Sequence, residues 1–132
     1  MRVLLDSNVW LAIMTTDGLC RRVWRAARRT CKFFASPDIL EEVEEKLRKK
    51  FGFSHRHARL ITFFVERQTE AVQVVSTISI CRDVDDNRIL AASLDSSCSH
   101  LVTGDSDLLV LKKFETVSIV TPRQFLELIP TD

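Results

Sequence analysis

Glycine and proline are scarce, with three of each in 132 residues. A chain with so few breakers has no flexible linker, and it carries no repeat or low-complexity segment, so one domain over residues 1–132 is expected. Tyrosine is absent, and none of the four cysteines (20, 31, 81 and 98) stands in a C-x-x-C pair. That spacing excludes a zinc module and predicts scattered, reduced, mostly buried thiols. No apolar run is long enough to cross a membrane, and "MRVLLD" meets Asp6 too early for a secretory leader. A cytoplasmic protein is the expectation. Neither sign of charge prevails: 19 basic residues face 18 acidic ones, for a net +1. Overall charge therefore neither advertises a nucleic-acid binder nor excludes one.

What the chain does have is an alternation of short apolar runs with longer amphipathic ones. Strands are expected at 2–6, 32–36, 71–75, 100–104 and 117–120. Helices are expected at 8–14, 19–29, 36–51, 54–68, 85–95 and 121–129. Ser7 or Asn8 suits the cap of the first helix. In "SPDILEEVEEKLRKKF", Ser36 can cap and Pro37 suits the first helical position. Ile39, Val43 and Leu47 recur one helical turn apart, and acids precede bases as the helix dipole favours. Thr121 followed by Pro122 opens the last helix in the same way. The strands are continuously apolar, as in a parallel sheet covered on both faces. The expected fold is therefore α/β, a three-layer sandwich around a five-stranded parallel sheet.

Charge is unevenly placed. "CRRVWRAARRTCK" (20–32) holds Arg21, Arg22, Arg25, Arg28, Arg29 and Lys32 with no acid. A basic helix can follow phosphates, or simply present a solvated face. The acids fall elsewhere. Ligands of open parallel sheets bind beyond the carboxyl ends of the strands. Asp6 follows the first strand, and Asp38, Glu41 and Glu42 follow the second. Asp83, Asp85 and Asp86 follow the third, and Asp105 and Asp107 the fourth. Four of five strands thus deliver carboxylates to one edge.

Any one of these acids could be a helix cap. Asp6 and Asp105 stand out, because each ends a buried apolar run. Together the acids repel: two unit charges about 4 Å apart cost roughly 4 kcal/mol at an effective dielectric near 20. Protons or a cation must relieve that repulsion. Oxygen-only ligands suit Mg²⁺ or Mn²⁺, and such sites serve phosphodiester hydrolysis.

The same stretches resemble PIN-domain ribonucleases. "LLDSN" (4–8) is similar to the family's first strand with its Asp-Thr/Ser-Asn ending, here with Ser7. "SPDILEEV" (36–43) is similar to the segment bringing the second acid, and "CRDVDDNRILAAS" (81–93) to the third. "LVTGDSDLLVL" (101–111) resembles the Thr-x-Asp-x-Asp ending of strand four, and "IVTPRQFLEL" (119–128) the closing helix. The likeness covers almost the whole chain and is nearest to the VapC-like toxins of toxin–antitoxin systems.

This resemblance implies strand order 3-2-1-4-5, a Mg²⁺ or Mn²⁺ centre, and cleavage of single-stranded RNA. It also implies a homodimer and a cognate antitoxin. Asp6, Glu42, Asp86 and Asp105 carry over as catalytic metal ligands, with Asp107 beside them. Glu41 and Asp83 are the alternatives to Glu42 and Asp86. Asn8 and Thr103 would orient carboxylates. Arg21, Arg22, Arg25, Arg82 and Arg88 are candidates to hold the RNA backbone.

Other readings are weaker on the residues. An aspartate-based phosphatase would carry Asp-x-Asp after the first strand, where Asp6-Ser7-Asn8 stands. A receiver domain would end its third strand in aspartate, where Val75-Ser76 stands. His55 and His57, two apart, do not share a helix face and read as a solvated helix start. The aromatic residues are mostly core, although some of the Phe51–Phe64 set could receive an antitoxin helix. The non-enzymatic alternative is an RNA- or protein-binding module on a PIN scaffold.

Overall fold

The chain is described by a computed structural model over residues 1–130. Strand β1 (Arg2–Leu5) leads into helix α1 (Ser7–Thr15), followed by α2 (Leu19–Ala27) and β2 (Lys32–Ala35). Helices α3 (Pro37–Lys49) and α4 (His55–Arg67) lead to β3 (Glu70–Ala71). Helix α5 (Val84–Asp95), β4 (His100–Val102) and the single-turn α6 (Ser106–Leu109) follow. A hairpin of β5 (Lys113–Phe114) and β6 (Val117–Val120) then precedes α7 (Pro122–Leu128).

The sheet order is β3-β2-β1-β4-β6-β5, and all neighbours are parallel except the β5–β6 pair. The parallel part has the expected order, with β6 in fifth place. The chain moves one way from β1 to β3 and the other way from β3 to β6. Right-handed crossovers then put helices on both faces. The core joins both layers: Val3, Leu4, Leu5, Leu101 and Val102 of the central strands have no solvent exposure. Trp10 of α1 and Trp24 of α2 pack on Phe33 of β2, with ring centroids 5.1 to 6.2 Å apart.

Three expectations change. The strand expected at 71–75 shrinks to Glu70–Ala71. Its ladder ends where the Val72 amide donates to Ala35 O. Beyond that point the Val75 and Ser76 amides donate to the Asp95 carboxylate, at 2.7 and 2.9 Å, so the segment leaves the sheet for the end of α5. Strand β5 has no counterpart among the expected strands. Its turn places Glu115 at φ 53°, without the glycine or asparagine that usually marks such a hairpin. Of the cysteines, all free, only Cys98 is buried and the others are half-buried.

Candidate metal centre

The winding order of the sheet reverses between the parallel strands β1 and β4, so a crevice opens at their carboxyl ends. The Asp6 amide extends the ladder to Val102 O (3.1 Å), and the Thr103 amide extends it to Val120 O (3.0 Å). This register sets Asp6 beside Thr103. The buried Asp6 carboxylate accepts a hydrogen bond from the buried Thr103 hydroxyl with one oxygen. Its other oxygen accepts from the Val9 amide at 3.0 Å. Asp6 is therefore the cap of α1, in place of Ser7 or Asn8. Both of its oxygens are thus engaged within the fold.

The Thr103 hydroxyl also accepts from the Asp105 amide at 3.0 Å, which ties Asp6 to the turn carrying Asp105. Asp105 accepts from the Asp107 amide and caps α6, and Asp83 caps α5 through the Asp85 amide. Asn87 clasps the approach to α5: its side chain accepts from the Cys81 amide (2.8 Å) and donates to Cys81 O (3.0 Å). Asp86, in the first turn of α5, then faces the Asp105 turn.

One carboxylate oxygen from each of Asp86, Asp105 and Asp107 lies within 4.8 Å of the others. Asp86 is only 6% exposed, Asp105 is half-buried and Asp107 is exposed. Burial, then the negative charge of Asp105 and Asp83, pushes the Asp86 carboxyl up to about 6. Burial also raises Asp6, against the pull of its hydrogen bonds, and the charge of Glu42 adds to that rise. In both, burial is the larger cause and a neighbouring carboxylate adds to it. The donor set is all oxygen and includes a buried acid, which fits a hard divalent cation.

The structure separates the sequence candidates. Glu42 is half-buried and Glu41 exposed. Glu42 is the one whose charge reaches Asp6. Asp86 is buried and Asp83 exposed. The Asn8 side chain does not orient a carboxylate: its oxygen accepts from Lys46 Nζ at 3.0 Å, and only its backbone amide acts on Asp6. Lys46 also pairs with Glu42 at 2.8 Å. Lys46 does not follow a strand directly but lies further along α3, so strand-end reasoning does not reach it. Its i,i+4 spacing from Glu42 was the available signal. The Cys81 thiol is likewise drawn in, raised by burial and then by the charges of Asp86, Asp107, Asp105 and Asp83.

The arginines divide. Arg21 turns inward and donates to Ile13 O at 2.9 Å. Arg25 sits 3.6 Å from Asp17, and Arg88 the same distance from Asp38. Arg22 and Arg82 are exposed. A cleft of about 360 Å³ opens between α3 and α5 beside the crevice, lined in part by Glu42, Lys46, Asp85 and Arg88. On α4 the side chains of Leu60, Phe63 and Phe64 are exposed, next to an exposed Phe51. Among the described residues no helix is long and apolar enough to cross a membrane.

A family model described as PIN domain matches residues 2–107. VapBC2 from Rickettsia felis, solved bound to a DNA fragment from its promoter, superposes with a TM-score of 0.68 at 10% identity, over 92% of this chain and 98% of that one. PAE2754 from Pyrobaculum aerophilum superposes at 0.65 with 16% identity, over 96% and 88%. The PIN domain endonuclease Utp24 superposes at 0.53 with 18% identity, over 91% and 84%. At these identities the likeness is one of fold. A CDK5RAP3 protein homolog from Caenorhabditis elegans is 33% identical over 75 residues, 55% of this chain; the chain spans 15% of that protein's length.

Proposed function

The chain belongs to the PIN-domain family, and from that membership and its acidic crevice we propose that it is a metal-dependent endoribonuclease of single-stranded RNA. The observation that carries this reading is the convergence of Asp86, Asp105 and Asp107 within 4.8 Å, at a turn that Thr103 ties to Asp6. Asp86, Asp105 and Asp107 would hold Mg²⁺ or Mn²⁺, with Asp6 and Glu42 facing it. When bound, such an ion supplies charge neutralisation at a phosphate and a more acidic water.

The protein's own contributions are positional. Thr103 holds Asp6 and the Asp105 turn in one register. Asn87 fixes the entry to α5 and so the direction of Asp86. Arg22 and Arg25 on α2, with Arg82 before α5, are offered as backbone contacts. The likeness to VapBC2 suggests that this nuclease is the toxin of a toxin–antitoxin pair. The exposed Leu60, Phe63 and Phe64 face is where an antitoxin helix or a second copy would dock.

The test is incubation with a mixed single-stranded RNA panel in Mg²⁺, in Mn²⁺ and in EDTA, alongside Asp6→Asn. Cleavage that needs the metal and vanishes in the variant is expected. RNA binding without cleavage in either metal would overturn the enzymatic reading in favour of a binding module.

A further inference from the structure

The crevice has two halves, and only one of them lacks a positive charge. Asp86, Asp105 and Asp107 form the first, with no basic side chain paired to any of them among the described residues. Asp6 and Glu42 form the second. There Lys46 Nζ lies 2.8 Å from Glu42 Oε1 and 3.0 Å from Asn8 Oδ1. The next pair along the same helix shows what an ordinary surface contact looks like. Lys49 and Glu45 have the same i,i+4 spacing, stand 3.3 Å apart, and are both mostly exposed with no third partner. Lys46 differs in three ways. It is about two-thirds covered, it bridges two helices 38 residues apart in sequence, and it touches a residue two positions from Asp6.

We infer that Lys46 is a tethered cation filling the second cation position of this crevice, so that the centre takes one divalent ion rather than two. The inference rests on the metal reading proposed above. An ammonium has three donors and no acceptor. Two are used by Glu42 and Asn8. The third is available to a phosphate oxygen, since Lys46 also lines the cleft between α3 and α5. Two divalent ions would stabilise both the attacking and the leaving oxygen of an in-line displacement. With Lys46 in place, its ammonium would supply the charge that a second ion would otherwise bring. Lys46 is also compact and strongly hydrated, a point charge suited to this exchange.

The experiment counts bound Mn²⁺ per chain from the loss of the free-ion electron paramagnetic resonance signal. It uses the full chain without RNA, as wild type, Lys46→Met, Lys46→Gln, Lys46→Arg and Lys49→Met. One Mn²⁺ is expected for the wild type, for Lys46→Arg and for the Lys49→Met control. Two are expected for Lys46→Met and Lys46→Gln, with the second abolished by adding Glu42→Gln. A merely structural salt bridge would leave the count unchanged. Two ions in the wild type, or one ion in every variant, would overturn the inference and leave the nuclease reading standing. No bound Mn²⁺ in any of them would overturn the metal reading itself, and this inference with it.

Discussion

At the residue scale, three acids at this edge, Asp6, Asp83 and Asp105, each cap a helix. Asp6 spends one oxygen capping α1 and aims the other at Thr103. Capping α1 and anchoring Thr103 are thus two roles of one residue. Asp86 has no such compensation. Its carboxyl titrates near 6 in the folded protein, against 3.8 when free. Between those values the folded chain holds a proton that the unfolded chain has lost, so its contribution to stability falls as pH rises and is fully unfavourable above about 6. In EDTA, Asp86→Asn is expected to be the more stable protein at pH 7.5, by about 1–3 kcal/mol, and to match wild type near pH 4. Thermal melts of both proteins at the two pH values check this, and added Mn²⁺ should raise the wild-type melting temperature only. Equal melting temperatures at pH 7.5 would mean that Asp86 is not held charged against its surroundings. Thr103→Val tests the other half. It keeps the shape but removes the donor to Asp6 and the acceptor of the Asp105 amide, so a loss of about 1–3 kcal/mol is expected. Ribonuclease activity should fall at least tenfold by way of misplaced carboxylates, and Thr103→Ser should restore both, as measured by urea unfolding and RNA cleavage. Activity unchanged in Thr103→Val would sink the positioning role.

At the element scale, Asp95 is the last residue of α5, where the helix dipole disfavours an acid. It is kept ionised there by donors from the segment after β3. The Ser76 hydroxyl and the amides of Ser76 and Val75 all donate to it and hold its carboxyl below the usual range. A lowered carboxylate works in the opposite sense to Asp86: its contribution is present above 3.8 and is lost as pH falls through the folded value. Asp95→Ala should raise amide hydrogen exchange at Val75 and Ser76 at least tenfold while leaving α3 protected, a pattern read residue by residue by NMR. Unchanged exchange at those two amides would show that another contact holds the segment. This clasp also explains which elements were legible in the sequence. Ser36 with Pro37, Ser54, and Thr121 with Pro122 announce helices α3, α4 and α7, because a cap and its helix are neighbours in sequence. The strand expected at 71–75 misleads because Val72, Val74 and Val75 have the right composition, while the carboxylate that takes the Val75 and Ser76 amides lies some twenty residues away. Strand β5 was illegible for a local reason, a positive φ at Glu115 where glycine would have been the signal. The acids of the crevice were legible as a set, since each follows a strand of one parallel sheet. Choosing Glu42 over Glu41 needed the packing of α3, because both flank the same apolar stripe.

At the scale of the whole molecule, the net charge of +1 conceals a separation. One edge of the sheet gathers carboxylates, and α2 gathers arginines. The two regions adjoin: the charge of Asp6 contributes to raising the thiol of Cys20, in the first turn of α2. A nucleic acid laid across both would be repelled by the edge without a cation and held by the helix. The arginines that could hold it are fewer than the sequence offers, because Arg21 is committed to Ile13 O. Arg25 is mostly exposed, and so is its partner Asp17, so that pair is worth little and can yield to a phosphate. Arg22 is exposed and lies three positions before Arg25, on the same helix face. Each single-strand phosphate contact contributes roughly −0.7 to the slope of log affinity against log salt. Replacing Arg22 and Arg25 by Gln should therefore flatten that slope by about 1.4. The melting temperature should hardly move, because both side chains are at the surface. Binding is measured by fluorescence anisotropy in Ca²⁺, on single-stranded RNA over a range of NaCl. Cleavage in Mg²⁺ should weaken through KM, with kcat nearly unchanged, since neither arginine touches the carboxylates. An unchanged slope would assign the backbone contacts elsewhere, with Arg82 the next candidate because it is exposed and directly precedes Asp83. A drop in kcat with KM unchanged would instead place α2 in the reacting centre, closer to Asp6 than a binding surface should be.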